Sequence, residues 1–131
     1  MLQTINAANV TPAAQNDLQA AICHLEASLV QGFRSDFERH ALEQAPREAC
    51  GVVADGQYWR CRNIADNPEQ DFVIDPRDYA VASLYGRIEA IVHSHPMGGG
   101  ASKTDIRSCQ GLGLPWHIWS MPDNVWTTIK P

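Results

Sequence analysis

Two histidines and an aspartate stand in a pattern that could bind a metal ion. His93 and His95 lie two residues apart in an apolar segment that is typical of a β-strand, so their side chains point to the same face of a sheet. Asp105 follows a glycine-rich turn, at the start of a predicted helix. Two imidazoles and a carboxylate are suitable zinc ligands, and three protein ligands leave the open position that catalytic zinc sites have.

Two further residues could supply catalytic groups to such a site. Glu48 precedes an apolar strand and is our candidate for a general base, because zinc lowers the pKa of bound water to about 7 and a carboxylate can take its proton. Ser102 is the predicted N-cap of the helix that carries Asp105, and its hydroxyl could also donate to an oxyanion. Spacing alone favours a solvated charge at a helix-to-strand junction for Glu48, and the two histidines could be ordinary polar residues.

The composition indicates one globular domain. The chain has 131 residues, 44% hydrophobic and 19% charged, with a net charge of -5 that argues against nucleic acid as the main partner. It has no signal-peptide pattern and no apolar stretch of transmembrane length, so we expect a cytosolic protein that does not contact the membrane. The four cysteines form no Cys-x-x-Cys pair, and we expect free, mostly buried thiols. For Cys109 a metal contact is an alternative to a core position.

The pattern of apolar residues predicts a mixture of helices and strands. A first helix begins at Thr11 and Pro12, has an apolar stripe of Leu18, Ile22, Leu25 and Leu29, and ends at Gly32. A second begins at Ser35 and ends before Pro46. We predict strands over residues 48–54, 57–62, 71–74, 87–95, 116–121 and 125–129, and helices over 75–86 and 102–112. This order indicates an α+β or three-layer αβα domain around a curved, mixed sheet.

The candidate residues resemble the signature of a known family. Glu48, the run His93-x-His95-Pro96 and the run Ser102-x-x-Asp105 are similar to the motif of the JAMM (MPN+, Mov34-type) zinc metalloproteases. The resemblance covers about residues 35–131. Within it, three segments are similar to the JAMM domain of the lambda-type phage tail-tip assembly protein K group: residues 63–65, 72–79 and 114–116.

This resemblance implies a JAMM/MPN, cytidine-deaminase-like fold and a bound Zn²⁺. His93, His95 and Asp105 would bind the zinc, Glu48 would be the general base, and Ser102 would stabilise the oxyanion. The implied reaction is hydrolysis of a peptide or isopeptide bond, often beside the C-terminal tail of a ubiquitin-like domain. The phage group implies tail-tip proteins as partners, one of them with a ubiquitin-like domain, and a location in the host cytoplasm during assembly and at the virion tail tip.

Two features depart from the family pattern. Six residues separate His95 from Ser102, one fewer than is usual, so the loop either displaces Ser102 or Asp105 or closes because three consecutive glycines relax the backbone. The phage relatives commonly continue into an NlpC-type cysteine peptidase domain. We expect that domain to be encoded separately, unless this chain is a truncated form.

We predict two regions, an N-terminal extension with one helix over residues 1–34 and a JAMM domain over residues 35–131. Two alternatives to a phage tail metallopeptidase stay open. One is a structural tail-tip component whose metal site is degenerate or purely structural. The other is a bacterial JAMM protein that processes a ubiquitin-like or sulfur-carrier protein.

Overall fold

The structure, a computed structural model, describes residues 11–131, with the side chains of residues 23–31 left out. Its described part contains three α-helices and five β-strands. In chain order these are α1 (Pro12–Gln44), β1 (Cys50–Ala54), β2 (Gln57–Cys61), α2 (Pro76–Tyr85), β3 (Ile88–His95), α3 (Lys103–Leu112), β4 (Trp116–Ser120) and β5 (Val125–Ile129). None of the described helices is long and apolar enough to cross a membrane.

The five strands form one mixed sheet in the order β2-β1-β3-β4-β5. The β3–β4 pair is parallel and the other pairs are antiparallel. Because parallel neighbours need a crossover connection, α3 links β3 to β4. The strand that carries both histidines is therefore the middle strand of the sheet.

Helices cover both faces of this sheet. On one face, Phe33, Phe37 and Ala41 of α1 pack against strand residues in one buried cluster. On the other face, Ala82 of α2 and Cys109 of α3 pack in a second cluster. The predicted α+β, three-layer arrangement with a mixed sheet is confirmed.

The prediction of two separate N-terminal helices is wrong. A single helix, α1, runs from Pro12 to Gln44, and Gly32 and Ser35 lie in its interior. An interior glycine costs a helix only about 1 kcal/mol relative to alanine, and burial of Phe33 and Phe37 on either side of Ser35 favours continuation. The predicted boundary between residues 34 and 35 falls inside α1, and the division into two regions stays a prediction.

The predicted apolar stripe of the first helix does not form a buried face where it is described. Leu18 and Ile22 are exposed by 60% and 40%, while Leu25 and Leu29 fall among the side chains that the structure leaves out.

Two further local predictions are corrected. Residues 71–74 do not form a strand of the sheet, because they pair with the chain after β2 only through an isolated bridge between Ile74 and Asn63 and the backbone hydrogen bonds beside it. Strand alternation within residues 87–95 predicts Ile88 on the face of Ala90 and Val92, but a register shift between Val53 and Ala54 turns it to the other cluster.

The cysteine prediction is confirmed for the side chains that are described. Cys50, Cys61 and Cys109 are free and buried, and Cys23 falls among the side chains left out. The Cys109 thiol lies 3.2 Å from the carbonyl oxygen of Leu114 and 3.7 Å from that of Ile129. It is a core thiol, and the alternative of a metal contact is not supported.

Candidate metal centre

β3 brings both histidines to the carboxyl end of the middle strand. His93 pairs with Cys50 of β1 and Ile118 of β4, and His95 pairs with Ser120 of β4. Ligand sites in open sheets commonly lie just beyond the carboxyl ends of central strands. The following loop and the start of α3 approach the histidines here.

The side chains of His93, His95 and Asp105 form a close triangle. The Nε2 atoms of the two histidines are 3.2 Å apart. Each lies 3.3 Å from a different carboxylate oxygen of Asp105. Zinc bonds of about 2.0–2.1 Å in a tetrahedron place neighbouring ligand atoms roughly 3.3–3.4 Å apart. The spacing therefore fits a metal ion of this size, with one position left over.

Glu48 belongs to the same group of side chains. Its Oε1 atom lies 3.8 Å from Nε2 of His95, and ligand atoms of Glu48, His93 and His95 all lie within 4.8 Å of one another. These residues could hold a metal ion as well. The shorter distances to Asp105 favour Asp105 as the third ligand and leave Glu48 beside the centre.

His93 is held by aromatic rings. It is fully buried, with the ring of Phe72 stacked on it at 4.3 Å and the ring of Trp116 against its edge at 5.5 Å. Burial lowers the pKa of His93, and hydrogen bonding to Asp105 opposes this. The result favours the neutral imidazole, the form that binds metals. Its Nδ1 atom is buried without a hydrogen-bond partner among the described residues. Packing against the two aromatic rings therefore fixes the orientation of the imidazole.

His95 is oriented by the glycine-rich loop of residues 96–101. Its Nδ1 atom lies 3.1 Å from the carbonyl oxygen of Gly99, which also accepts a hydrogen bond from the hydroxyl of Ser120. Donation from Nδ1 in the neutral imidazole would leave the lone pair of Nε2 available to a metal ion held between His95 and Asp105, as a metal ligand requires. Hydrogen bonding to Asp105 raises the pKa of His95, and burial opposes it.

The short loop closes without separating Asp105 from the histidines. Gly98 and Gly99 have φ values of +88° and +93°, which glycine adopts readily and other residues rarely do. The amide of Gly98 donates to the carbonyl oxygen of His95 at 3.0 Å, so the chain turns immediately after β3. For Asp105, the shortened loop therefore closes without displacement.

Ser102 and Asp105 fix each other at the start of α3. The Ser102 hydroxyl oxygen accepts from the Asp105 amide at 3.0 Å, and the Asp105 carboxylate accepts from the Ser102 amide at 2.9 Å, a capping box. Burial raises the pKa of Asp105, but hydrogen bonds from His93, His95 and Ser102 outweigh it and hold the pKa far below its usual range. Asp105 is therefore an anion, and the hydroxyl hydrogen of Ser102 remains available for donation.

Glu48 is a buried carboxylate at the edge of the centre. It is only 6% exposed, and burial raises its pKa to about 7. His95 lowers this pKa, whereas Asp105 and Asp71 raise it. A carboxyl group with a pKa near neutrality can both accept and release a proton at physiological pH, which suits a general base.

Two residues that the sequence reasoning missed hold the backbone around Glu48. The side chain of Asn63 donates to the carbonyl oxygen of Glu48 at 2.9 Å. The hydroxyl of Ser94, between the two histidines, accepts from the amide of Ala49 at 2.9 Å. The position of Ser94 on the opposite face from the histidines could have indicated a role in packing, but nothing near Asn63 indicated its contact with Glu48.

The centre opens into a cleft of about 820 Å³. One wall comes from residues 69–74, and the other comes from residues 96–100 and α3. The lining is apolar at Phe72, Met97 and Leu112, and the charged groups among the described lining residues are acidic apart from His95. The cleft is large enough for several residues of an extended peptide.

The fold and this site are those of a family that the sequence matches directly. Residues 31–128 match the family model for prokaryotic homologs of the JAB domain. The match covers most of the chain, so the protein belongs to this family, and the predicted JAMM-like domain is confirmed.

A more specific relationship is found with a phage protein. The chain is 43% identical over 97 residues to "Tail tip assembly protein K" of Escherichia phage N15, in an alignment that covers 70% of this chain and 40% of that protein. This chain thus spans about 40% of the length of that relative. The predicted relationship to the protein K group is confirmed.

A solved structure shares the fold. The solution structure of protein DSY2949 from Desulfitobacterium hafniense superposes with a TM-score of 0.60 at 23% identity, over 73% of this chain and 76% of that one. At this identity the similarity establishes the fold alone.

Proposed function

We propose that this protein is a zinc-dependent metallopeptidase that hydrolyses a peptide or isopeptide bond in a protein partner during phage tail-tip assembly. The observation that carries the proposal is the triangle of His93, His95 and Asp105 with Glu48 beside it. A merely structural zinc site is usually closed by four protein ligands. Here the fourth nearby group is a carboxylate with a raised pKa.

The metal would supply Lewis acidity and a water of lowered pKa. In the proposed reaction, Oε1 of Glu48 takes a proton from the attacking water and passes it to the leaving amine. Its burial keeps competing bulk water away, and its position beside His95 places it next to the metal ligands. The Ser102 hydroxyl would donate a hydrogen bond to the carbonyl oxygen of the substrate's scissile bond as negative charge develops on that oxygen.

The assignment to tail-tip assembly rests on the name of the phage N15 relative and on nothing in the site itself. We propose other tail-tip proteins as partners, with the substrate among them presenting an extended segment to the cleft. A ubiquitin-like domain in that substrate, and a separately encoded NlpC-type peptidase, stay predictions from the family resemblance. So does the location in host cytoplasm and virion tail tip.

Peptidase activity can be tested without knowing the substrate. The zinc-loaded protein is incubated with a peptide library made by digesting bacterial extract, and new peptide termini are identified by mass spectrometry. We expect cleavage by the wild type and a loss of about 10²- to 10⁴-fold in Glu48→Gln, because the amide cannot accept a proton. The matched control is Glu89→Gln, an exposed carboxylate on β3 outside the cleft.

One alternative is favoured by a specific observation. The phage relative is named for assembly, and a JAB-family domain can serve assembly as a structural component with an inactive or purely structural metal site. If zinc-loaded wild type and Glu48→Gln give the same peptide termini, this structural function replaces the enzymatic one.

A further inference from the structure

We propose that Asn63 is a positioning residue that fixes Glu48 and one wall of the cleft as a single unit against the metal centre. Asn63 follows β2 and begins a loop, residues 63–74, that ends beside the start of α2. The inference rests on the proposed function, because Glu48 needs an accurate position only if it transfers a proton.

The amide nitrogen of Asn63 holds the backbone of Glu48. Its Nδ2 atom donates to the carbonyl oxygens of Glu48 and Asp71, each at 2.9 Å, and lies 3.4 Å from that of Pro68. The amide of Glu48 in turn donates to the Pro68 carbonyl oxygen at 2.7 Å. Both backbone polar groups of Glu48 therefore have hydrogen-bond partners in the 63–74 loop: the side chain of Asn63 and the carbonyl oxygen of Pro68.

The amide oxygen of Asn63 holds the far end of the loop. Its Oδ1 atom accepts from the amides of Ala65 at 3.0 Å and Val73 at 3.1 Å. Val73 adjoins Phe72, the residue whose ring stacks on His93. One side chain thus ties the loop to Glu48 and to the ring that supports a predicted metal ligand.

Regular secondary structure does not extend to Glu48. One isolated bridge and two backbone hydrogen bonds, from Ile64 to Val73 and from Asp75 to Arg62, join the two ends of the loop, and the Asn63 side chain adds the link from this pair to Glu48. Glu48 lies before β1 begins, so it has no strand ladder of its own. A misplacement of about 1 Å at a catalytic group can cost roughly 100-fold in rate.

Metal binding is separable from this positioning. His93, His95 and Asp105 lie on β3 and α3, whose own hydrogen bonds do not involve the 63–74 loop, and Trp116 of β4 holds the His93 ring independently of Phe72. Loss of Asn63 should therefore displace Glu48 while the metal ligands stay together.

The test compares Asn63→Ala and Asn63→Asp with Asn67→Ala. Aspartate keeps an acceptor for Ala65 and Val73 but loses the donor to Glu48. Asn67 lies in the same loop, and its backbone carbonyl oxygen, which the substitution keeps, accepts hydrogen bonds from the amides of Gln70 and Asp71. On a peptide cleaved by the wild type, we expect kcat to fall about 10- to 100-fold in both Asn63 variants. We expect unchanged zinc content, no recovery with excess zinc, and less than a twofold change in Asn67→Ala.

A double-mutant cycle separates positioning from general loss of stability. If Asn63 acts through Glu48, Asn63→Ala should have no further effect on kcat in the Glu48→Gln background, since interacting residues are not additive. An equal fall in both backgrounds would overturn the proposal. So would wild-type kcat in Asn63→Ala or Asn63→Asp, or loss of zinc in either.

A second measurement decides the matter if the wild type cleaves no peptide. Hydrogen exchange of the Glu48 and Val73 amides should become at least about tenfold faster in Asn63→Ala and stay unchanged in Asn67→Ala, because only the former breaks bonds that order them. In that outcome the proposed function fails while the positioning by Asn63 stands. Unchanged exchange in Asn63→Ala would contradict the positioning itself.

Discussion

The hydroxyl of Ser94 accepts a hydrogen bond from the backbone amide of Ala49 at 2.9 Å. Ser94 stands between the two predicted metal ligands on β3, and Ala49 directly follows Glu48. The amide of Ser94 also donates to the carbonyl oxygen of Ala49 at 3.0 Å. The predicted base and the predicted ligands are thereby joined through two adjacent strands, on the face of β3 opposite the metal centre.

Replacement of Ser94 by alanine should destabilise the fold. The amide of Ala49 is buried, and losing its acceptor should cost about 1–3 kcal/mol in the free energy of unfolding. Urea denaturation of the metal-free protein measures this cost. Ser83→Ala is the control, since Ser83 is exposed and bonds only to its own helix, and its effect should stay within about 0.5 kcal/mol. Equal effects of the two substitutions would contradict the role given to Ser94.

The glycine-rich loop provides a test of how His95 is oriented. Gly99 has a φ of +93°, which alanine rarely adopts, and its carbonyl oxygen contacts Nδ1 of His95. Gly99→Ala should weaken zinc binding about 10- to 100-fold, as loss of a ligand's supporting hydrogen bond commonly does. Gly100→Ala is the control, because an added Cβ meets nothing within 4 Å there and its φ lies outside the positive range. Competition with a chelator measures both affinities, and equal values would show that the Gly99 contact is dispensable.

His40 should make the stability of the metal-free protein depend on pH. Burial, with a contribution from Arg60, lowers its pKa from 6.5 to about 4, while its Nδ1 atom contacts the Tyr58 hydroxyl at 2.7 Å. Between these two pH values the unfolded chain binds a proton that the folded chain does not. The contribution of neutral His40 to the free energy of unfolding is therefore fully present above pH 6.5. It decreases as the pH drops toward 4, by as much as about 3 kcal/mol.

The measurement for His40 is urea unfolding of the wild type and His40→Gln between pH 7.5 and pH 4. Glutamine does not titrate, so the stability advantage of the wild type should shrink as the pH falls. An advantage that stays constant across this range would show that His40 is protonated equally in the folded and unfolded chains.

Much of the fold followed from local patterns in the sequence. The Asp75–Pro76 cap, the Ser102 cap and the Asp55–Gly56 turn each mark an element boundary close to the observed one. The helix break expected at Gly32 failed because packing of Phe33 and Phe37 outweighs the small local cost of glycine.

The candidate site was predictable only in part. His93, His95 and Asp105 are close in sequence, so strand alternation and a helix cap suffice to bring them together. Glu48 was predicted because a catalytic zinc site needs a general base. Its distance to His95 depends on the pairing of β1 with β3, which the spacing of residues does not show. Asn63 and Ser94 could not be assigned, because their partners are backbone groups of distant residues and leave no pattern of residue types.

The zinc content of the purified protein decides whether His93, His95 and Asp105 form a metal site. The protein is purified without chelator, and zinc per chain is measured for the wild type, for His95→Ala and for the exposed control Asp66→Asn. We expect about one zinc per chain in the wild type and the control, since the ligand spacing suits a single tetrahedral ion, and loss of zinc in His95→Ala. A folded wild type without zinc, or equal zinc in His95→Ala, would contradict the proposed metal site.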